Sequence, residues 1–313
     1  MMQAVPMDIG ILWFLAVVGF GVYGIILAGW SSHNKYGMLG GLRAAAQVIS
    51  YEIPMGLALV SLLAVYGTVN LSEMAQFQGR LLFGFIPMWG FLLQPLGVII
   101  FIVAAFAETN RTPFDLAEGE SEIVAGYHVE YSSMKFALFF MGEYVAMFVS
   151  SALIVTLYFG SYQIPWFTTE TLVTYARPVV IAIMIGLPVI GYFFAEWMKR
   201  NNRSHYYREN DPRQKETAVY VALLWSLVAI LEVVLLVYLV FAHGGVADRI
   251  LVALLQIGTF LFKTFLMCFV YVWVRWTLPR FRYDQLQKIG WEKLLPLALL
   301  NIFITSAIIV SLG

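Results

Sequence analysis

Between Ala107 and Tyr131 the chain reads AETNRTPFDLAEGESEIVAGYHVEY, which puts Glu108, Asp115, Glu118, Glu120, Glu122 and Glu130 in one polar stretch, with Glu143 just beyond it. Carboxylates gathered this closely repel one another, and repulsion raises some of their pKa values toward neutrality. Groups poised there take up and release protons at working pH, the property a proton path requires. The segments on either side are apolar enough to cross a bilayer. The acids therefore lie at a helix-to-helix connection, where solubility alone does not explain them.

The elements that must position these acids follow from composition. With 61% hydrophobic and 12% charged residues among 313, and a mean hydropathy of +0.79, a soluble domain would have almost no polar surface. Nearly uncharged runs cover 9–30, 42–67, 84–107, 134–160, 174–198, 217–242, 249–274 and 292–312. Each is close to the roughly 20 residues a helix needs to span a bilayer. Barrel strands would be shorter and would alternate apolar with polar residues. The predicted fold is all-α: a polytopic membrane protein of about eight transmembrane helices, forming a single integral membrane domain over 1–313.

Charge asymmetry orients this arrangement. If the helices alternate in direction, the connections 31–41, 108–133, 199–216 and 275–291 share a face, and 15 of the 19 basic residues lie on it or at its helix ends. The opposite face has Arg80, Arg177 and Arg249. The positive-inside rule then makes 108–133 a cytoplasmic acidic loop in a bacterial inner (plasma) membrane, with both termini outside. The opening MMQAVPMDIG has no basic n-region of a signal peptide. Cys268 is the only cysteine and His33, His128, His205 and His243 are scattered, so neither an intramolecular disulfide nor a metal site is expected from this chain alone. The zero formal net charge gives no sign of nucleic-acid binding.

Ionisable residues inside the spans are costly and face polar interiors. Glu52 lies ten residues past Leu42, about 15 Å into its helix. Arg43, Gln47 and Ser50 run along one face near it, and Pro54 frees a backbone carbonyl. Glu52 reads as a proton-carrying carboxyl or, more plainly, as a structural glutamate bonded to a neighbouring helix. Lys263 is central in its span, fifteen residues past Asp248 and twelve before Arg275. It calls for a carboxylate partner, and Glu52 or Glu143 could serve. Glu232 reads equally as a contact to a partner helix, and Glu196 as interfacial. Gly19-Phe20-Gly21-Val22-Tyr23-Gly24 matches the pattern G-x-G-x-x-G, but without a preceding strand these glycines read as helix packing. Trp30, Trp166, Trp197 and Trp291 lie near predicted helix ends, as interfacial belts do.

The acidic stretch, together with GYHVEYSSMKFALFFMGEY (Gly126–Tyr144), AGWSSHNKYGMLGGLRAAAQVISYE (Ala28–Glu52) and LPRFRYDQ (Leu278–Gln285), resembles a known family. This is the quinone-site membrane subunit of proton-pumping NADH:quinone oxidoreductase, respiratory complex I. The resemblance covers roughly 9–162 and 250–312. It implies a translocase component without redox chemistry of its own, which forms the membrane side of a quinone chamber and couples quinone reduction to proton translocation. Quinone is the implied substrate. No cofactor is expected on this chain, with flavin and iron–sulfur clusters on partner subunits. The implied partners are the peripheral quinone-module subunits, the membrane-arm subunits and the lipid bilayer.

Residue by residue, the resemblance places Asp115, Glu118, Glu120 and Glu122 in the family's acidic loop, with Glu108 just before it. Glu52 matches its buried glutamate, and Glu143 the acid of its FxxGEY segment. Lys263 joins this proton-pathway group as a buried charge. Arg43, Arg111, Phe114, Glu130 and Lys135 are assigned to contacts of the loop with quinone and partners, Arg111 and Lys135 balancing its charge.

The sequence departs from the pattern in three places. The family carries further spanning helices, a Glu-Arg-Arg motif and an amphipathic Gly-Pro-Asn segment before the point where this sequence starts, so this chain alone would not complete the chamber. Residues 163–248 look like a two-helix insertion with a polar connector, Asn201–Thr217. Ala117 and Gly119 stand where Pro and Ala are usual. Two other readings remain: a stand-alone secondary transporter using Glu52 and Lys263, and a related membrane-bound hydrogenase component. No internal repeat between 1–160 and 161–313 favours the transporter.

Overall fold

The computed structural model describes residues 7–82, 84–116, 126–201, 213–241 and 245–312. Glu118, Glu120 and Glu122 lie outside the described residues. Among those described, seven helices are long and apolar enough to cross a membrane. The chain divides into two compact units, Met1–Trp166 with Gln256–Gly313, and Phe167–Leu255.

The first unit begins with α1 (Gly10–Gly19) and α2 (Gly21–Ser31), one apolar span interrupted by a turn at Phe20. Next comes α3 (Lys35–Tyr66), which opens on Asn34, whose Oδ1 accepts the Tyr36 N–H at 2.9 Å. It closes on Gly67, whose left-handed φ of 67° suits glycine. At 32 residues, α3 is about 48 Å long. Short α4 (Leu71–Phe77) and a two-stranded hairpin, β1 (Leu81–Leu82) with β2 (Ile86–Pro87), follow it.

The continuous span expected over 84–107 is not formed. The hairpin leads into a single turn, α5 (Gly90–Leu93), then a break at Gln94, then α6 (Pro95–Glu108). The cause is local. Pro95 clashes with a helical conformation of the residue before it, and Gln94 adopts φ −137° and ψ 68°. The 14 residues of α6 cover only about 21 Å.

From α6 the chain passes through 109–132 into α7 (Ser133–Tyr158). The second unit holds α8 (Thr169–Thr174), α9 (Ala176–Asn201), α10 (Arg213–Phe241) and the first residues of α11 (Gly245–Thr277). The first unit resumes within α11 and ends with α12 (Tyr283–Lys288), a π-helical turn Ile289–Leu294, and α13 (Leu295–Leu312).

The first unit is organised around α3, which packs on α2, α6 and α13. Its core holds Tyr51, Leu59 and Leu62 of α3, Ile100 and Phe101 of α6, and Ile154, Leu157 and Tyr158 of α7. In a membrane, apolar side chains gain little from facing one another rather than lipid, so close backbone approach matters more. A Cβ at Gly29 of α2 would lie 2.8 Å from the Gly37 carbonyl oxygen and 3.2 Å from the Gly41 Cα of α3. We expect Gly29→Leu to force the two helices apart at a cost of about 1–3 kcal/mol. An unchanged thermal unfolding midpoint in mild detergent would contradict this packing.

Candidate functional site

The site forms where the chain leaves α6. Thr109 Oγ1 donates back to the carbonyls of Ala105 (3.1 Å) and Phe106 (3.2 Å), and Asn110 turns the chain with φ 50°, a conformation asparagine tolerates. The turn is tied to α3 by Gln47, which is fully buried. Its Nε2 donates to the carbonyls of Ala107 (2.7 Å) and Phe114 (2.6 Å) and to Asn110 Oδ1 (3.2 Å). The Phe114 ring lies edge-on to Tyr51 at 5.2 Å between centroids and also packs on Phe281 at 5.5 Å.

The late segment Leu278–Gln285 is brought to the same place. The Phe281 N–H donates to the Pro113 carbonyl at 3.1 Å. Just beyond it, the Tyr51 hydroxyl donates to the Leu286 carbonyl at 2.9 Å, and the Trp291 indole to Ser50 Oγ at 3.1 Å. The other half of the loop is fixed to α3 and α2. A Cβ on Gly40 would lie 2.6 Å from the Gly126 carbonyl carbon, the Tyr131 hydroxyl donates to the Ala28 carbonyl at 2.8 Å, and Asn34 Nδ2 donates to Glu130 Oε1 at 2.7 Å. The four segments that carry the family resemblance therefore meet at one end of the first unit.

Two groups of acids form there. In the first, Arg111 is only 5% exposed and its Nη2 stands 3.8 Å from Glu143 Oε2, with the guanidinium 4.4 Å from the Tyr144 ring centroid. Asp115 and Arg275 are within electrostatic reach of Glu143. The Tyr127 hydroxyl stands 3.5 Å from Glu143 Oε1, and burial together with the Asp115 charge pushes its pKa up to about 12. Tyr127 therefore keeps its proton at working pH and stays a donor. In the second group, Glu108 lies within electrostatic reach of Glu52, and Tyr271 of Glu108. Glu52 stands in the space left by Gly19, where a Cβ would lie 3.0 Å from its Oε1.

Comparison with known proteins gives this arrangement a family. A family model described as NADH dehydrogenase matches residues 1–201 and 217–306. The H subunit of NADH-quinone oxidoreductase from Salinibacter ruber is 39% identical over 309 residues, 98% of this chain and 67% of that protein. An H subunit of the same enzyme in Solibacter usitatus is 39% identical over 98% of this chain and 70% of its own length. Subunit 8 of the Rhodothermus marinus enzyme is also 39% identical, over 95% of this chain and 66% of its own length. The chain belongs to the NADH dehydrogenase family. It spans about two thirds of the length of these relatives. Of the stretch 163–248 read as an insertion, 202–216 lies outside the family match.

In this family member the expected site residues divide. Glu108, Arg111, Phe114, Asp115 and Glu143 come together at the loop, and Glu52 joins through Glu108. Glu130 is drawn to Asn34 instead. Arg43 and Lys135 are exposed, so Arg43 does not share the buried face of Gln47 and Ser50. Among the described residues Lys135 is in no ion pair, and Arg111 alone of the two expected counter-charges reaches an acid. No three of His, Cys, Asp and Glu gather as a metal-binding group among the described residues.

Lys263 requires a correction. It pairs with neither Glu52 nor Glu143. Its ammonium donates to the carbonyls of Phe159 (2.9 Å), Ser161 (3.0 Å) and Gln163 (2.8 Å), just beyond the end of α7. Glu143 lies sixteen residues back along α7 from Phe159, about 24 Å away at helical rise. Sequence reasoning misses Tyr127, Tyr271 and Arg275. Each depends on a neighbour distant in sequence, and no local pattern marks it.

We expect Gln47→Leu to keep the bulk but strip the donors from the carbonyls of Ala107 at the end of α6 and Phe114 in the loop, costing about 1–3 kcal/mol. Proteolysis at 109–116 should become faster in the assembled protein, and an unchanged cleavage rate would contradict this anchoring role.

Proposed function

We propose that this chain is the membrane component through which an NADH:quinone oxidoreductase couples quinone reduction to proton movement, with its acidic connector forming part of the quinone chamber. The observation that carries this reading is the convergence of Glu52, Glu108, Asp115 and Glu143 with Arg111 at one connector. The names of the relatives supply the substrate class. The seven long apolar helices support residence in a membrane, and the positive-inside pattern supports a bacterial inner membrane with the connector cytoplasmic.

Reduction of a quinone to a quinol takes two electrons and two protons. In this reading the electrons come from flavin and iron–sulfur clusters on partner subunits, and this chain manages protons and charge. The ion pair of Arg111 with Glu143 is long, and Nε and Nη2 of Arg111 have no hydrogen-bond acceptor among the described residues. Such a guanidinium can turn toward negative charge gained by a reduced quinone. Glu143 then loses the nearer of its two cations, Arg275 remaining within reach, and takes up a proton more readily. Glu108 lies within electrostatic reach of Glu52, so a negative charge on Glu52 favours a proton on Glu108. A proton reaching Glu108 can thus pass on to Glu52, which, against the expectation of a buried glutamate, is exposed on α3 in this chain.

A transporter built on a Glu52–Lys263 pair finds no support, because the Lys263 ammonium is held by carbonyls. Glu52→Gln should assemble and reduce quinone but lose proton translocation in proteoliposomes; full translocation by the assembled variant would remove Glu52 from the path. Replacing Glu118, Glu120 and Glu122 together by Gln should slow quinone reduction without loss of assembly, and an unchanged rate would refute a role for the loop.

A further inference from the structure

We propose that Lys263 is a fixed ammonium clamp that caps the end of α7 and sets the register of α11 against it, not a proton carrier. The inference deepens the functional reading above, since the groups it registers belong to the acid cluster.

The end of an α-helix leaves carbonyls without partners, and its partial negative charge favours a cation. Here side chains from other elements take up those carbonyls. Gln78 Nε2 donates to Thr156 at 2.8 Å, the Tyr66 hydroxyl to Leu157 at 2.7 Å, and Lys263 to Phe159 at 2.9 Å. The chain then curls so that Ser161 and Gln163 present their carbonyls to the same ammonium. The curl is shaped for it. Gly160 has φ 75°, and a Cβ there would lie 2.5 Å from Trp89 Nε1, so only glycine fits. Gly160 N–H donates to Gln78 Oε1 at 2.8 Å, and Ser161 N–H to the Val155 carbonyl at 3.0 Å. The Trp89 ring covers the remaining side of the ammonium, 4.6 Å from Nζ to centroid.

This saturation decides between the two roles. An ammonium has three N–H donors, and all three meet carbonyl oxygens. Amide carbonyls are too weakly basic to accept the proton, so the site has no onward step. What it does have is leverage. From Lys263, α11 continues eight residues to Tyr271 and twelve to Arg275, about 12 and 18 Å at helical rise. Tyr271 meets Ser150 of α7 at 3.0 Å between hydroxyl oxygens and stacks on Phe106 at 3.9 Å, and Arg275 reaches Glu143. As the partners on α7 step back from 159 to 150, those on α11 step forward from 263 to 271, and Arg275 beyond them lies within electrostatic reach of Glu143. The ammonium is the pinned end of an antiparallel pair whose other end carries the acids.

The test compares Lys263→Arg, Lys263→Met and Lys263→Ala with Glu52→Gln in the assembled oxidoreductase, reading quinone reduction, proton translocation and thermal midpoint. Arginine keeps the charge and donors but does not release its proton, so Lys263→Arg should translocate protons as wild type does. Lys263→Met should lose roughly tenfold in coupled rate, the scale of one lost set of charge-assisted hydrogen bonds. Ethylammonium, a primary ammonium small enough for the vacated site, should restore much of the rate of Lys263→Ala. Quinone reduction without translocation in Lys263→Arg would show that the lysine must titrate and would overturn the clamp. So would a wild-type Lys263→Met, or a Lys263→Ala deaf to ethylammonium if the other variants fail to assemble. Normal translocation by Glu52→Gln would instead count against the functional reading, leaving the thermal midpoints of the Lys263 variants to judge the clamp.

Discussion

One uncharged side chain, the buried amide of Gln47, holds the turn that leaves α6 against α3, through the carbonyls of Ala107 and Phe114. The rest of the site depends on it. A connector dense in carboxylates repels itself and would otherwise move out into water. A neutral amide supplies donors without adding charge, so the connector is held in place while its acids keep their mutual repulsion. With the turn fixed, Phe114 fits between Tyr51 and Phe281, and Arg111 is carried to Glu143.

A division of labour follows between neutral and charged groups. Neutral ties position the backbone: Tyr51 to Leu286, Tyr131 to Ala28, Trp291 to Ser50. The charged groups are left with loose geometry, as in the 3.8 Å approach of Arg111 to Glu143. Under the proposed function, a loose pair suits a change of protonation, since a tight buried pair would lock one charge state. At the far end of α7 the logic reverses: Lys263 is saturated by carbonyls and behaves as part of the frame.

Much of this was legible in the sequence because the signals were local. The apolar runs marked the spans, and the acids between Glu108 and Glu143 marked the connector at which Glu108, Asp115 and Glu143 are gathered. The break at Gln94 was also written locally, in Pro95, but a hydropathy run does not register a proline. Partnerships were not legible. A lysine amid apolar residues implies an acid partner only if no carbonyls are free, and the free carbonyls beyond α7 exist because Gly160 and Ser161 adopt positive φ. Likewise Tyr271 and Arg275 look like ordinary residues of a long helix until α7 and α6 are packed beside them.

The central claim is that quinone reduction changes the protonation of acids held at this connector. Infrared difference spectroscopy of the reconstituted enzyme, recorded between oxidised and quinol-loaded states, addresses it directly through the C=O stretch of protonated carboxyl groups. A carboxyl band that appears on reduction in the wild type and is lost in Glu108→Gln is the result this account predicts. Identical difference spectra from the two enzymes, at equal quinone reduction, would contradict it.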